Sequence, residues 1–276
     1  MIEVRHGDNL RVLATLRSAS FDLVYIDPPF NTGHPQRRTQ LRTTRTATGD
    51  RTGFGGLRYA TEELGSRAFG DRFDDYLAFL GPRLHEARRL LTPTGSLFVH
   101  LDAREVHYVK VFLDVLFGRS SFMNEIVWAY DYGGRTKKKW APKHDTILWY
   151  AMDPEDYTFR AEESDRLPYM APGLVTPEKR ARGKLPTDTW WHTIVSPTGK
   201  EKTGYPTQKP LAILERIVKV HSRPGDRLLD FFAGSGSFGE AADRHGRAVV
   251  LVDSSATAIR VMRSRFRGRD ASFRKG

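Results

Sequence analysis

DRLLDFFAGSGSFGE, Asp226 to Glu240, reads as a short apolar strand, a sharp glycine turn and the start of a helix. Glycine lets the backbone turn where a Cβ would clash and lets a ligand approach main-chain atoms closely, so the turn Phe232-Ala233-Gly234-Ser235-Gly236 predicts a nucleotide-like cofactor. Gly234, Gly236 and Gly239 also spell the dinucleotide pattern, with Asp253 closing the next strand where an acid meets ribose hydroxyls. That pattern alone is weak and leaves a dehydrogenase open. Asp253 serves under either reading.

Outward from this turn, short apolar runs alternate with helical patterns, as in a parallel sheet covered by helices. Strands are expected at Ile2 to Arg5, Leu23 to Ile26, Ser96 to Leu101, Glu125 to Ala129, Thr146 to Tyr150, Arg227 to Asp230 and Ala248 to Val252. Apolar residues spaced by three or four place helices around Phe73 to Leu91, Val106 to Leu116, Leu211 to Val218 and Ile259 to Phe266, with Gly81-Pro82 expected to kink the first. The fold class is therefore α/β, a doubly wound, mostly parallel seven-stranded sheet in one domain.

A second stretch, FDLVYIDPPFNTG (Phe21 to Gly33), ends a strand in a carboxylate followed by two prolines and an aromatic. Two prolines fix φ and donate no N–H, so the Asp27 carboxylate and the Asp27 and Pro28 carbonyls stay aimed outward. A carboxylate beside a fixed carbonyl can hold both hydrogens of an amino group and stabilise positive charge developing on its nitrogen. Phe30 can stack on the ring that carries the amine. The pattern suits the amino group of a nucleobase extruded from its helix. A Pro-Pro turn that merely ends a strand is the plainer alternative.

The 276 residues carry a net charge of +11, which favours a polyanionic partner. Gly33 to Gly56 holds Arg37, Arg38, Arg42, Arg45 and Arg51, and is expected to be a long basic loop (31–66). Gly133 to His144 holds Arg135, Lys137, Lys138, Lys139 and Lys143 around Trp140. It opens a recognition region, about 131–206, in which Trp190 and Trp191 are either core or DNA-facing. The basic side chains are expected to contact phosphates. With no cysteine there is no disulfide, thiol nucleophile or thiolate zinc site, and His144 and His192 lack metal-ligand spacing. No apolar run approaches the roughly 20 residues of a membrane helix, and the charged N-terminus is unlike a secretory signal, so the expected location is cytoplasmic.

DPPF at Asp27 to Phe30, FAGSG at Phe232 to Gly236 and TQKP at Thr207 to Pro210 together resemble the β class of S-adenosylmethionine-dependent DNA amino-methyltransferases, in which the catalytic motif precedes the cofactor motif in a circularly permuted order. GD at Gly7-Asp8 resembles the acid that approaches the cofactor adenine. The resemblance spans nearly the whole chain. It implies that Asp27, Pro28, Pro29 and Phe30 are catalytic, and that Asp8, Asp27, Lys209, Asp230, Phe232, Gly234, Gly236 and Asp253 hold S-adenosylmethionine. The reaction is then in-line displacement by the amine, with no metal, no covalent intermediate and no cytosine C5 chemistry. It further implies double-stranded DNA as substrate, adenine N6 favoured over cytosine N4, and a homodimer. RNA or protein-glutamine amino-methylation, or an inactive DNA-binding regulator, are the alternatives.

Overall fold

The computed structural model describes the chain except residues 33–35, 47–50, 53–57, 70–72, 132, 197–198 and 200, and except the side chains of 36–45, 51–52, 59 and 61–69. Contacts divide it into two units, Met1–Pro28 with Asp75–Gly276, and Pro29–Asp74.

The larger unit is built on nine strands: β1 (Ile2–His6), β2 (Phe21–Ile26), β6 (Leu91–Leu101), β7 (Phe122–Ala129), β8 (His144–Ala151), β9 (Thr189–Trp191), β10 (Arg227–Asp230), β11 (Ala248–Asp253) and β12 (Ala271–Lys275). Their order is β12-β1-β11-β10-β2-β6-β8-β7-β9. Neighbours from β12 to β6 are parallel, β8 is antiparallel to both β6 and β7, and β9 runs parallel to β7. All seven expected strands are present. The two additional ones are edge strands of three and five residues, whose mixed side chains never needed the continuous apolar run that marks a strand buried on both faces.

On one face α1 (Asn9–Ala14), α2 (Tyr76–Leu90) and α3 (Val106–Phe117) pack in succession. After the short exposed helix α4 (Pro177–Arg182), α5 (Leu211–His221), α6 (Ser237–Arg244) and α7 (Ala256–Arg265) share one apolar cluster with the sheet. α2 is one helix with Pro82 inside it, and Asp75 caps its start through Ala78 N–H at 2.8 Å. Leu80, Leu84, Ala87 and Leu90 give it a fully buried stripe. Leu23, Leu228 and Leu229 are likewise fully buried, so each truncation to Ala would cost about 2–5 kcal/mol.

The smaller unit corrects the basic-loop expectation. β3 (Gln36–Arg45) and β5 (Arg58–Phe69) pair antiparallel, with β4 (Arg51–Thr52) against β5. The register slips once, where Gln40 faces Gly65 and Leu41 faces Glu63. Thr39, Thr43, Thr44, Tyr59 and Thr61 supply strand-favouring residues that the arginine count had overshadowed. Asn31 Oδ1 accepts from Phe73 N–H at 2.9 Å, joining the two stems of this unit.

Candidate active site

Strands β10 and β2 lie side by side and parallel, with Leu23 opposite Leu228 and Val24 opposite Leu229. Asp27 and Asp230 therefore leave the sheet at the same carboxyl-end edge, where strand order reverses and open α/β sheets bind ligands. Lys209 reaches this edge and donates to both Asp27 oxygens, at 2.7 and 2.6 Å. Its side chain is 10% exposed and that of Asp27 18%, so removing either partner strands a mostly buried charge, at about 3–5 kcal/mol.

The TQKP turn explains how Lys209 is aimed. Thr207 sits in the left-handed region at φ 58°, and Pro210 stands at the N-cap of α5. Between them Gln208 folds back, its Oε1 accepting from Thr203 N–H and Oγ1 at 2.9 and 2.8 Å while its amide donates to the Glu201 carbonyl at 2.8 Å. Glu201 in turn accepts from Leu211 N–H at 2.7 Å, tying the turn to the first residue of α5.

In the glycine turn Gly234 and Gly236 take φ of +49° and +76°. A Cβ on Gly234 would lie 3.2 Å from the Tyr205 ring, and one on Gly236 would lie 2.8 Å from Met262 Cγ. Asp253 shapes the turn, accepting Gly234 N–H at 2.8 Å on one oxygen and Ser255 N–H at 2.7 Å on the other. The Asp253 carbonyl accepts Gly7 N–H at 3.1 Å, which brings Asp8 to the same edge. Asp8 caps α1 and lies 3.5 Å from Arg83, while Asn9 donates to the Phe231 carbonyl at 2.9 Å and accepts from Arg83 at 2.6 Å. Phe232 is half-buried between Phe79 and Phe231, at centroid distances of 6.0 and 5.3 Å.

Charge at this edge is unbalanced. Burial pushes the Asp230 carboxyl well up, and the Asp27 and Asp253 charges add to this against the Phe232 N–H bond and the Lys209 charge. Burial also raises Asp253 against its two backbone donors. Lys209 pairs with Asp27 and its charge also reaches Asp230, whereas Asp253 is met by backbone donors and the His6 charge.

The structure brings Asp8, Asp27, Lys209, Asp230, Phe232, Gly234, Gly236 and Asp253 to one edge. Asp27 and Pro28 end the larger unit, and Pro29 and Phe30 open the smaller one. Arg135, Lys137, Lys138 and Lys139 are exposed, while Lys143 is half-buried and donates to the Gly133 carbonyl at 3.1 Å. The side chains of Arg37, Arg38, Arg42 and Arg45 lie outside the described residues. The tryptophan pair splits: Trp190 is buried, with the Arg216 guanidinium 4.8 Å from its ring centre, and Trp191 is 78% exposed. Trp140 is 97% exposed. His192 Nδ1 lies 2.7 Å from the Thr193 carbonyl, and among the described residues no three His, Cys, Asp or Glu side chains gather as metal ligands. Sequence reasoning missed Asn9, Arg83 and Tyr205. Their only signal is adjacency, Asn9 to Asp8 and Tyr205 to TQKP.

The N6_N4_Mtase family model, described as DNA methylase, matches residues 21–264. Type II methyltransferase M.HpaI of Haemophilus parainfluenzae is 26% identical over 256 residues, covering 93% of this chain and 71% of that protein. DNA adenine methyltransferase YhdJ of Escherichia coli (strain K12) is 28% identical over 264 residues, covering 93% and 79%. The crystal structure of the M1.HpyAVI-SAM complex superposes with a TM-score of 0.60 at 18% identity, covering 96% of this chain and 98% of that one. With the family model spanning both the Asp27 corner and the glycine turn, the chain belongs to the N6_N4_Mtase family of DNA methylases.

Proposed function

We propose that this chain methylates the exocyclic amino group of a flipped-out base in double-stranded DNA, using S-adenosylmethionine. The observation that carries the reading is the Asp27–Lys209 pair held one strand away from the glycine turn. The residues present fit the cofactor. Gly234 and Gly236 hold left-handed φ with Tyr205, Met262 and Phe266 packed where a Cβ would go, which fixes the turn, and the Asp27, Asp230 and Asp253 carboxyls at this edge suit a molecule carrying both a sulfonium and an ammonium. Asp253 would hold the ribose, Asp8 the adenine side, Asp230 and Lys209 the amino-acid portion, and Phe232 and the two glycines the turn itself. When bound, the cofactor supplies an electrophilic methyl group.

The rest falls to the chain's own residues. Asp27, oriented through both oxygens by Lys209, accepts one N–H of the target amine and keeps lone pairs for it. The Pro28 carbonyl accepts the other, Pro29 keeps that carbonyl from turning away, and Phe30 stacks on the base. Charge that develops on the nitrogen meets a carboxylate already fixed in place, so no reorganisation is required during reaction.

Arg135, Lys137, Lys138, Lys139 and Lys143, with Arg37, Arg38, Arg42 and Arg45 of the smaller unit, contact phosphates. Trp191 at the end of β9 and Trp140 in the segment between β7 and β8, both exposed, offer rings for stacking on bases. The acid at the head of DPPF, and YhdJ being a DNA adenine methyltransferase, favour adenine N6 over cytosine N4. A homodimer and a cytoplasmic, DNA-associated location complete the reading. Among the described residues no helix is long and apolar enough to cross a membrane.

Transfer of labelled methyl groups to duplex DNA, and not to RNA of the same sequence, is the expected result. Transfer to RNA alone would replace this reading with the RNA one.

A further inference from the structure

Tyr25 lies two residues before Asp27 on β2, buried, with its ring stacked on Phe238 at 5.1 Å. Its hydroxyl lies 2.9 Å from Nδ1 of His100, a residue of β6 with no exposed surface. His100 Nε2 lies 3.3 Å from Asp145 Oδ2 on β8, and the Tyr130 hydroxyl donates to Asp145 Oδ1 at 3.0 Å. Since β2, β6, β8 and β7 are successive neighbours, one hydrogen-bonded chain crosses the sheet from the strand that leads into Asp27 to the residue that follows β7.

An ionised carboxylate only accepts, so Asp145 takes the Tyr130 O–H and the His100 Nε2–H, and the other ring nitrogen of His100 meets the Tyr25 hydroxyl. Burial pushes the Asp145 carboxyl up, but the His100 bond and charge, the nearby Lys209 charge and the Tyr130 bond outweigh it and hold it below the usual range. Trp128 closes the cluster, edge-on to His100 at 5.5 Å and 5.0 Å from the Tyr130 ring. Apolar side chains would fill this space without the desolvation cost of three buried polar groups and a half-buried fourth, so packing alone does not account for it.

Tyr130 and Asp145 flank the basic segment, one on each side. Tyr130 N–H donates to the Lys143 carbonyl at 2.9 Å, and Ala129 pairs with His144 just beyond it. We propose that Tyr25, His100, Asp145 and Tyr130 form a positioning relay that ties the seating of segment 131–143 on DNA to the alignment of Asp27. The inference rests on the reading of Asp27 as the group that receives the target amine. None of the four touches the reacting atoms; they act through the end of β2, and Asp145 also through the field of Lys209, whose ammonium holds Asp27.

The test measures single-turnover methyl transfer, duplex affinity and cofactor affinity for Tyr25→Phe, Asp145→Asn and the double variant. Each single change is expected to lower kcat about 10- to 100-fold, the range a small misplacement of a catalytic group produces, with both dissociation constants within about twofold of wild type. The double variant should be no slower than the worse single one, because members of one relay fail together. Undiminished kcat in Tyr25→Phe, which removes one oxygen atom and settles the matter even if Asp145→Asn does not fold, would overturn the relay. So would losses confined to DNA affinity, or multiplicative effects. Asp27→Ala, assayed alongside, separates the two ideas: an active Asp27→Ala protein overturns the site itself, whereas an inactive one beside undiminished relay variants overturns only the relay.

Discussion

At the β10–β2 edge, carboxylates and one ammonium are held inside the protein's own hydrogen bonds, with Asp27, Asp230, Asp253 and Lys209 each fixed by a named donor or acceptor. Along 133–144 the cations Arg135, Lys137, Lys138 and Lys139 stand in solvent, and Trp140 beside them is almost wholly exposed. The first region completes its geometry without a partner and is built to orient small groups. On the proposed function, the second meets a surface of opposite charge. Chemistry and DNA affinity should therefore respond to different residues.

The largest effect is expected at the glycine turn. Gly236 holds φ +76° with Met262 and Phe266 packed where a Cβ would go, so Gly236→Val should raise the dissociation constant for S-adenosylmethionine at least about 100-fold, a left-handed branched residue costing upwards of ~1–2 kcal/mol before the clash. Calorimetry measures this, and duplex affinity should change little. Next comes the basic segment. Changing Lys137, Lys138 and Lys139 together to Ala should weaken duplex binding about 10- to 100-fold at low salt and flatten the logarithmic salt slope by up to about 2.7 if each contacts one phosphate. Cofactor affinity should stay as it was, and an unchanged salt slope would break the contrast between the regions.

The smallest effect sharpens the comparison from below. His221 sits among Phe98, Trp149 and Phe159 at 4.8, 4.3 and 5.4 Å, and burial pushes its pKa down to about 3, against a backbone hydrogen bond at Thr158 that raises it. The folded state holds this ring neutral while the unfolded chain protonates it near 6.5, so its contribution to stability is intact above pH 6.5 and is lost as pH falls toward 3. His221→Leu should therefore remove about 2 kcal/mol of the wild-type loss between pH 6.5 and 5, read from denaturant midpoints at each pH. Neither DNA salt dependence nor cofactor affinity should follow it.

What the sequence reveals divides along the same line. Asp27-Pro28-Pro29 and Gly234 to Gly236 were legible because their backbones are extreme, one unable to bend and the other obliged to turn where side chains cannot. Strands buried on both faces announced themselves as apolar runs. β9 and β12 did not, because an edge strand needs no such run, and the arginines of 36–45 masked a β pattern carried by threonines. Trp190 and Trp191 are adjacent yet opposite in burial, which follows from strand alternation once β9 is known and from nothing before it. Arg83 and the relay from Tyr25 to Tyr130 depend on pairings between distant segments, for which local sequence holds no signal.

The most direct test of the central claim is sequencing that reports modified bases in DNA from cells expressing either this chain or its Asp27→Ala variant, with calorimetry confirming that the variant still binds S-adenosylmethionine. The account predicts N6-methyladenine, or else N4-methylcytosine, at one short recurring sequence with the wild-type chain and none with the variant. Equal modification by both, or a methyl group on cytosine C5, would contradict it.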